Sequence, residues 1–162
     1  MTQALTGSEY VLIAQVPKAG DRWHQVHLNA AICQSFFRIA EGEGRMVRLE
    51  RVEGAGVLRD SFERQLVYSR RNRNYKIEFD FGEVTEYPQD GVPLLIIIEL
   101  DVRRFRYVLL LPGDTGHEAM LHLNDSLSAV GRGLPRVITT LDEVELRWPG
   151  CPLRSPVPTQ DA

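Results

Sequence analysis

A mostly-β barrel or pseudobarrel is the predicted fold class. Three features of the sequence point to it: about seven short stretches with strand patterning, only two short helical ones, and turns rich in glycine or proline between them. At 162 residues with 43% apolar content, the chain is long enough for one domain with a proper core.

The elements follow in order. Y-V-L-I-A-Q-V (10–16) has the continuous apolar character of a buried strand, and P-K-A-G-D-R (17–22) is a turn-rich loop. W-H-Q-V-H-L (23–28) alternates as a half-buried strand does. Asn29 is placed to cap a short helix, A-A-I-C-Q-S-F-F-R-I, with Ile32, Phe36 and Ile39 on one face; E-G-E-G (41–44) ends it. Residues 46–52 alternate again, and V-E-G-A-G-V (52–57) is a glycine-rich turn. R-Q-L-V-Y (64–68) and K-I-E-F-D-F (76–81) are two more strands, joined by a basic connector. L-L-I-I-I-E-L (94–100) and R-F-R-Y-V-L-L-L (104–111) read as a long antiparallel hairpin in the core. Residues 115–130 contain the one good helical stretch, with Met120, Leu121, Leu127 and Val130 as its apolar face. G-R-G-L-P (131–135) is a loop, and T-T-L-D-E-V-E-L-R-W (139–148) is a last strand or a mixed element. From Pro149 the composition turns to proline and small polar residues without periodicity. The expected division is therefore a folded domain over 1–148 and a linker or tail over 149–162.

Bulk charge excludes little. The net charge is -3 and the pI about 5.8, which does not announce a nucleic-acid binder, but a local basic patch can act on an acidic protein. Lys18 and Lys76 are the two lysines, and every other basic residue is arginine. Arginine's rigid fork matches phosphate or a guanine edge better than an ammonium does, although a GC-rich genome would also enrich it. Cys33 and Cys151 lie far apart with no ligand spacing around them, which suggests neither a disulfide framework nor a metal site and fits a reducing cytoplasm. The first ten residues lack the basic and apolar regions of a secretion signal. The apolar run 92–98 is too short to span a bilayer. A soluble cytoplasmic protein without membrane partners is the expectation.

Catalytic constellations are poorly served. A metal-dependent nuclease needs clustered carboxylates and a lysine. Asp90, Glu99 and Asp101 are the nearest approach, and no lysine lies beside them. His24 and His27 fall on opposite faces of a strand, and His117 and His122 are badly spaced around a helix start. No nucleophile elbow or phosphate loop is present, so no catalytic site, metal or cofactor is expected.

Binding is better served. S-R-R-N-R-N-Y-K (69–76) holds four positive charges and two asparagines, with no acidic residue between them. Arginine suits phosphate or guanine, asparagine suits adenine, and tyrosine offers stacking or apolar contact. On composition alone, the stretch is either a solvated hairpin loop or a contact surface. Lys18, Arg22, His24 and Gln25 form a second group of donors upstream. Two polar arms on a β scaffold can enter a major groove from one side.

Three segments carry a family resemblance. G-D-R-W-H-Q-V-H-L (20–28), L-V-Y-S-R-R-N-R-N-Y-K-I (66–77) and V-P-L-L-I-I-I-E-L-D (92–101) resemble, in order and spacing, the N-terminal DNA-recognition (effector) domain of EcoRII-type restriction endonucleases. That resemblance spans roughly residues 10–148 and implies a B3-like DNA-binding pseudobarrel that grips duplex DNA with two arms in the major groove. It implies an N-arm with Lys18, Arg22, His24, Gln25 and Asn29. It likewise implies a C-arm with Arg70, Arg71, Asn72, Arg73, Asn74, Tyr75 and Lys76. The family's C-arm glutamate is missing from this stretch, where asparagine stands in similar places. The resemblance further implies double-stranded DNA as partner, a short GC-rich site with CCWGG as the single best choice, and a separate nuclease domain in cis beyond 149. It implies a bacterial cytoplasmic setting and a monomeric isolated domain. Two rival readings remain: a protein-interaction module docking an acidic partner, and a small stand-alone nuclease.

Overall fold

Val11, Leu12, Ile13 and Ala14 are all completely buried, which is why the first strand has no polar alternation: both of its faces are covered. The computed structural model describes residues 4–18, 20, 22–40, 42–128 and 136–158. Within them, eight strands form one curled sheet. They are β1 (Tyr10–Gln15), β2 (Gln25–Asn29), β3 (Arg45–Val52), β4 (Leu58–Ser69), β5 (Asn74–Glu78), β6 (Leu94–Asp101), β7 (Arg104–Leu110) and β8 (Arg136–Thr140). Their order across the sheet is β2-β5-β4-β3-β7-β6-β1-β8, and β3 with β7 is the parallel pair. The mainly-β expectation holds, and the β6–β7 hairpin is where the sequence placed it.

The curl follows from the two apolar clusters. Leu12 and Ala14 face one, together with Leu28, Leu66, Tyr75, Ile97, Phe105 and Tyr107 from across the sheet. The intervening Val11 and Ile13 face the other, with Ile96, Val108 and the helices behind it. The first cluster is filled from inside by residues 30–39. Asn29 caps this segment as expected, accepting the Ile32 N–H at 2.8 Å. The helix is shorter than predicted, however. α1 covers only Ala30–Ile32, and a π-helical turn over Cys33–Phe37 follows. That wider turn lets Cys33, Phe36 and Phe37 all point inward, and both phenylalanine rings pack on Phe105 at 4.8–5.3 Å.

α2 (His117–Leu127) and α3 (Leu141–Arg147) cover the second cluster. Gly116 precedes α2 at φ +92°, where a Cβ would run into the Trp148 indole, so the two helices close together there only on glycine. The predicted apolar face of α2 is corrected in part. Met120 is buried, but Leu123 and Asn124 join it, while Leu127 is 48% exposed. Val130 and the 131–135 loop lie outside the described residues, as do Ala19, Asp21 and Glu41 of the expected turns. Residues 139–148 prove to be the mixed element: β8 ends at Thr140, whose hydroxyl accepts the Glu143 N–H and starts α3.

The expected linker is corrected as far as residue 158. Leu153 is fully buried, and Arg154 pairs with Glu145 at 2.7 Å and donates to the Leu5 carbonyl. Val157 exchanges backbone hydrogen bonds with Gly56 and Leu58. Residues 149–158 are thus held on the domain.

Candidate nucleic-acid interface

The two predicted arms meet on one strand ladder. β2 pairs antiparallel with β5 in the register Gln25↔Glu78, His27↔Lys76 and Asn29↔Asn74. β5 pairs on its other side with the end of β4, as Val67↔Lys76 and Ser69↔Asn74. Directly paired residues share a face. One face of this three-strand ladder carries Leu28, Tyr75 and Tyr68 into the core. The other turns Asn29, Asn74 and Ser69, then His27, Lys76 and Val67, and finally Gln25 and Glu78 outward.

Arg70 to Arg73 form a four-residue hairpin loop at one end of the ladder, all four exposed. Asn72 N–H donates to the Ser69 hydroxyl at 3.3 Å, and Arg73 takes the left-handed conformation (φ 51°) that such loops need at their last position. Arg22 and His24 lie at the opposite end, where β2 begins. That end is anchored by Trp23, buried against Phe81 and Tyr87, with its indole N–H donating to the Thr85 carbonyl. Gln25 N–H closes the turn onto the Arg22 carbonyl at 2.9 Å. Five residues of β2 set the two ends about 13 Å apart along the strand. The arms are therefore two rims of one surface rather than two copies of the same contact.

Individual residues sort out as follows. Arg70 and Arg71 make no ion pair among the described residues. Lys18 is exposed in the loop that enters β2. His24 sits 3.8 Å from Glu78, a carboxylate that lies just past the predicted C-arm and faces the same way. Asn29 does two things at once, capping α1 with its side-chain oxygen while remaining exposed. Asn74 is partly covered, and its Oδ1 has no hydrogen-bond partner, a state costing about 1–3 kcal/mol that a donor reaching it would relieve. Tyr75 is a correction: it has no exposure at all, and its hydroxyl donates to the Ala40 carbonyl at 2.7 Å. It props the arm from below and has no surface for stacking.

The sequence gives no separate sign that His27, Val67 and Glu78 are parts of this surface, although Ser69 lies within the basic stretch 69–76. Only the period-2 phase was visible, since Val67 and Ser69 are out of step with Leu66 and Tyr68. A β-branched residue in a strand, however, reads first as core.

Of the carboxylates considered for nuclease chemistry, Glu99 and Asp101 line one cleft, but Asp90 is not brought to them. Asp90 precedes β6, whereas Glu99 lies about 17 Å along it from Leu94 and is held bidentately by Arg38. Asp101 accepts the Val102 N–H of its own turn. A cleft of about 510 Å³ lies elsewhere, beside Arg51, Asp80 and Tyr107. His117 is buried, with Nε2 on the Val92 carbonyl. Burial pushes the Cys33 thiol up to about 12 and the Cys151 thiol up to about 11, which disfavours the nucleophilic thiolate form of both.

The class defined by this geometry is a curled, mainly-β domain whose edge ladder exposes a polar face between two basic rims. No family model and no curated protein matches the chain. A solved structure does share the fold. The chain is similar to the N-terminal domain of Helicobacter pylori LlaJI.R1, at 11% identity and a TM-score of 0.53, over 80% of this chain and 97% of that one. At that identity the likeness is one of fold. Among the described residues, no helix is long and apolar enough to cross a membrane.

Proposed function

We propose that the chain is a sequence-specific double-stranded DNA recognition domain of a restriction endonuclease. The observation that carries this reading is the β2–β5 register, which sets Gln25, His27 and Asn29 beside Glu78, Lys76 and Asn74, some fifty positions away in sequence, on one outward face. The rims are spaced on the scale of a B-DNA major groove, about 12 Å wide. The hairpin tip offers Arg70 and Arg71 to a phosphate backbone, and the ladder between the rims offers His27, Lys76, Asn74 and Gln25 to base edges. The fold likeness supports the same reading, because the designation LlaJI.R1 is that of a restriction-enzyme subunit.

The reading takes the curled sheet as a B3-like pseudobarrel and the site as short and GC-rich, with CCWGG the first sequence to try. DNA cleavage is assigned to another domain in cis, joined beyond residue 158, within a bacterial cytoplasm. The isolated domain is taken as a monomer.

Binding-site selection from a random duplex pool tests the core of the proposal. Enrichment of one short motif, bound in a salt-sensitive manner, is expected. No shift of any duplex at low salt, with an acidic protein recovered instead, would move the basic tip to a protein partner. Mg²⁺-dependent cleavage by this chain alone would contradict the placement of catalysis elsewhere.

A further inference from the structure

The outward ladder face contains one side chain that base donors do not explain. Val67 is 47% exposed, directly opposite Lys76 and one row from the Ser69–Asn74 pair. The next outward position on β4 is Gln65, and its partner across β3 is Met46, 50% exposed. Two apolar side chains therefore stand diagonally across β3 and β4 on the solvent face, beside the basic hairpin. Single exposed apolar residues need no explanation, but neighbouring ones within a candidate contact surface do. In the major groove, the apolar group a protein can meet is the C5-methyl of a pyrimidine.

We propose that Val67, supported by Met46, reads a pyrimidine C5-methyl group in the major groove. The idea rests on the DNA-binding reading above and specifies how one base of the site is chosen. The β4–β5 hairpin ends the β2–β5–β4 ladder, whose outward face would lie against the groove with its basic tip at one edge. Its outward face presents an ammonium, an amide, a hydroxyl and an isopropyl group within two adjacent rows. Paired positions lie about 5 Å apart, so a base pair contacted by Lys76 brings its own or the next pyrimidine methyl against Val67. The hairpin turn then holds phosphate, and the rows behind it read bases.

The same methyl chemistry occurs in thymine and in 5-methylcytosine, and the experiment separates them. In the selected duplex, each thymine is replaced singly by deoxyuridine and each cytosine singly by 5-methylcytosine. Affinity is measured for the wild type, Val67→Ala and Met46→Ala, with circular dichroism confirming that each variant is folded. One deoxyuridine replacement should weaken the wild type about four-fold, the value of one buried methyl at about 0.8 kcal/mol. Val67→Ala should bind both forms of that duplex equally. A cytosine position whose methylation tightens wild-type binding, but not that of Val67→Ala, would identify methylcytosine as the source. If no replacement alters affinity, or if the loss persists unchanged in Val67→Ala, the assignment is overturned while DNA binding stands. Failure to bind any duplex would overturn both.

Discussion

Two groups of arginines in this molecule stand in contrast. One group is matched to carboxylates: Arg38 with Glu99, Arg51 with Asp60, Arg104 and Arg106 with Glu50, and Arg154 with Glu145. At the β4–β5 tip, Arg70 and Arg71 stand exposed, with no carboxylate on them among the described residues. The contrast explains how a chain of net charge -3 can present a basic surface. Paired arginines cancel locally, and the field outside is set by those that are not paired.

The largest effect expected is on the paired side. Glu50 is buried, and Arg106 beside it donates to Glu50 at 3.2 Å and to the Leu153 carbonyl at 2.7 Å. Glu50→Ala leaves a buried guanidinium uncompensated and should cost about 3–5 kcal/mol of stability, read from the denaturant midpoint. A loss under about 1 kcal/mol would mean that water or another carboxylate already screens Arg106, and the division into two arginine settings would blur.

The tip should behave in the opposite way. Arg70→Ala combined with Arg71→Ala should leave stability within about 0.5 kcal/mol, because neither side chain is packed. The slope of log affinity against log salt should become shallower by about two, at roughly 0.9 per phosphate contact. Between 50 and 200 mM salt that amounts to about a ten-fold difference in how steeply binding decays. An unchanged slope would remove the tip from the DNA.

What could be read from sequence divides along physical lines. β1, β6 and β7 were legible because apolar β-branched runs buried on both faces have no other stable home. β4 was recognised only in its second half, since Arg59, Asp60, Ser61 and Glu63 point to water and dilute the apolar signal. The start of α3 had a signal that went unread: Thr140 followed three residues later by Glu143 is a capping pattern. The seating of 149–158 was not legible, because one buried leucine among prolines carries no periodicity. The candidate site shows the same division. The basic composition of 70–76 was plain, but which of its members face out depends on strand phase, and Tyr75 fell on the inner side. That the two arms flank one ladder is a matter of register between β2 and β5, which pairing across fifty residues decides and no local pattern records.

Asn29 gives the finest test of the comparison, because it belongs to both the scaffold and the surface. Its Oδ1 accepts the Ile32 N–H, while the residue stays exposed at the rim beside Asn74. Asn29→Ala removes the cap and should cost about 1 kcal/mol. Aspartate caps as well as asparagine does, so Asn29→Asp should keep wild-type stability. It also places a negative charge on the face opposite Asn74, one row from Lys76. If that rim meets DNA, the aspartate variant binds the selected duplex more weakly than the alanine variant does, although it is the more stable protein. Stability and affinity then move in opposite directions across two substitutions at one position, an outcome that loss of folding cannot mimic. Equal DNA affinity in the aspartate variant and the wild type would confine Asn29 to its capping role and end the N-arm at His27.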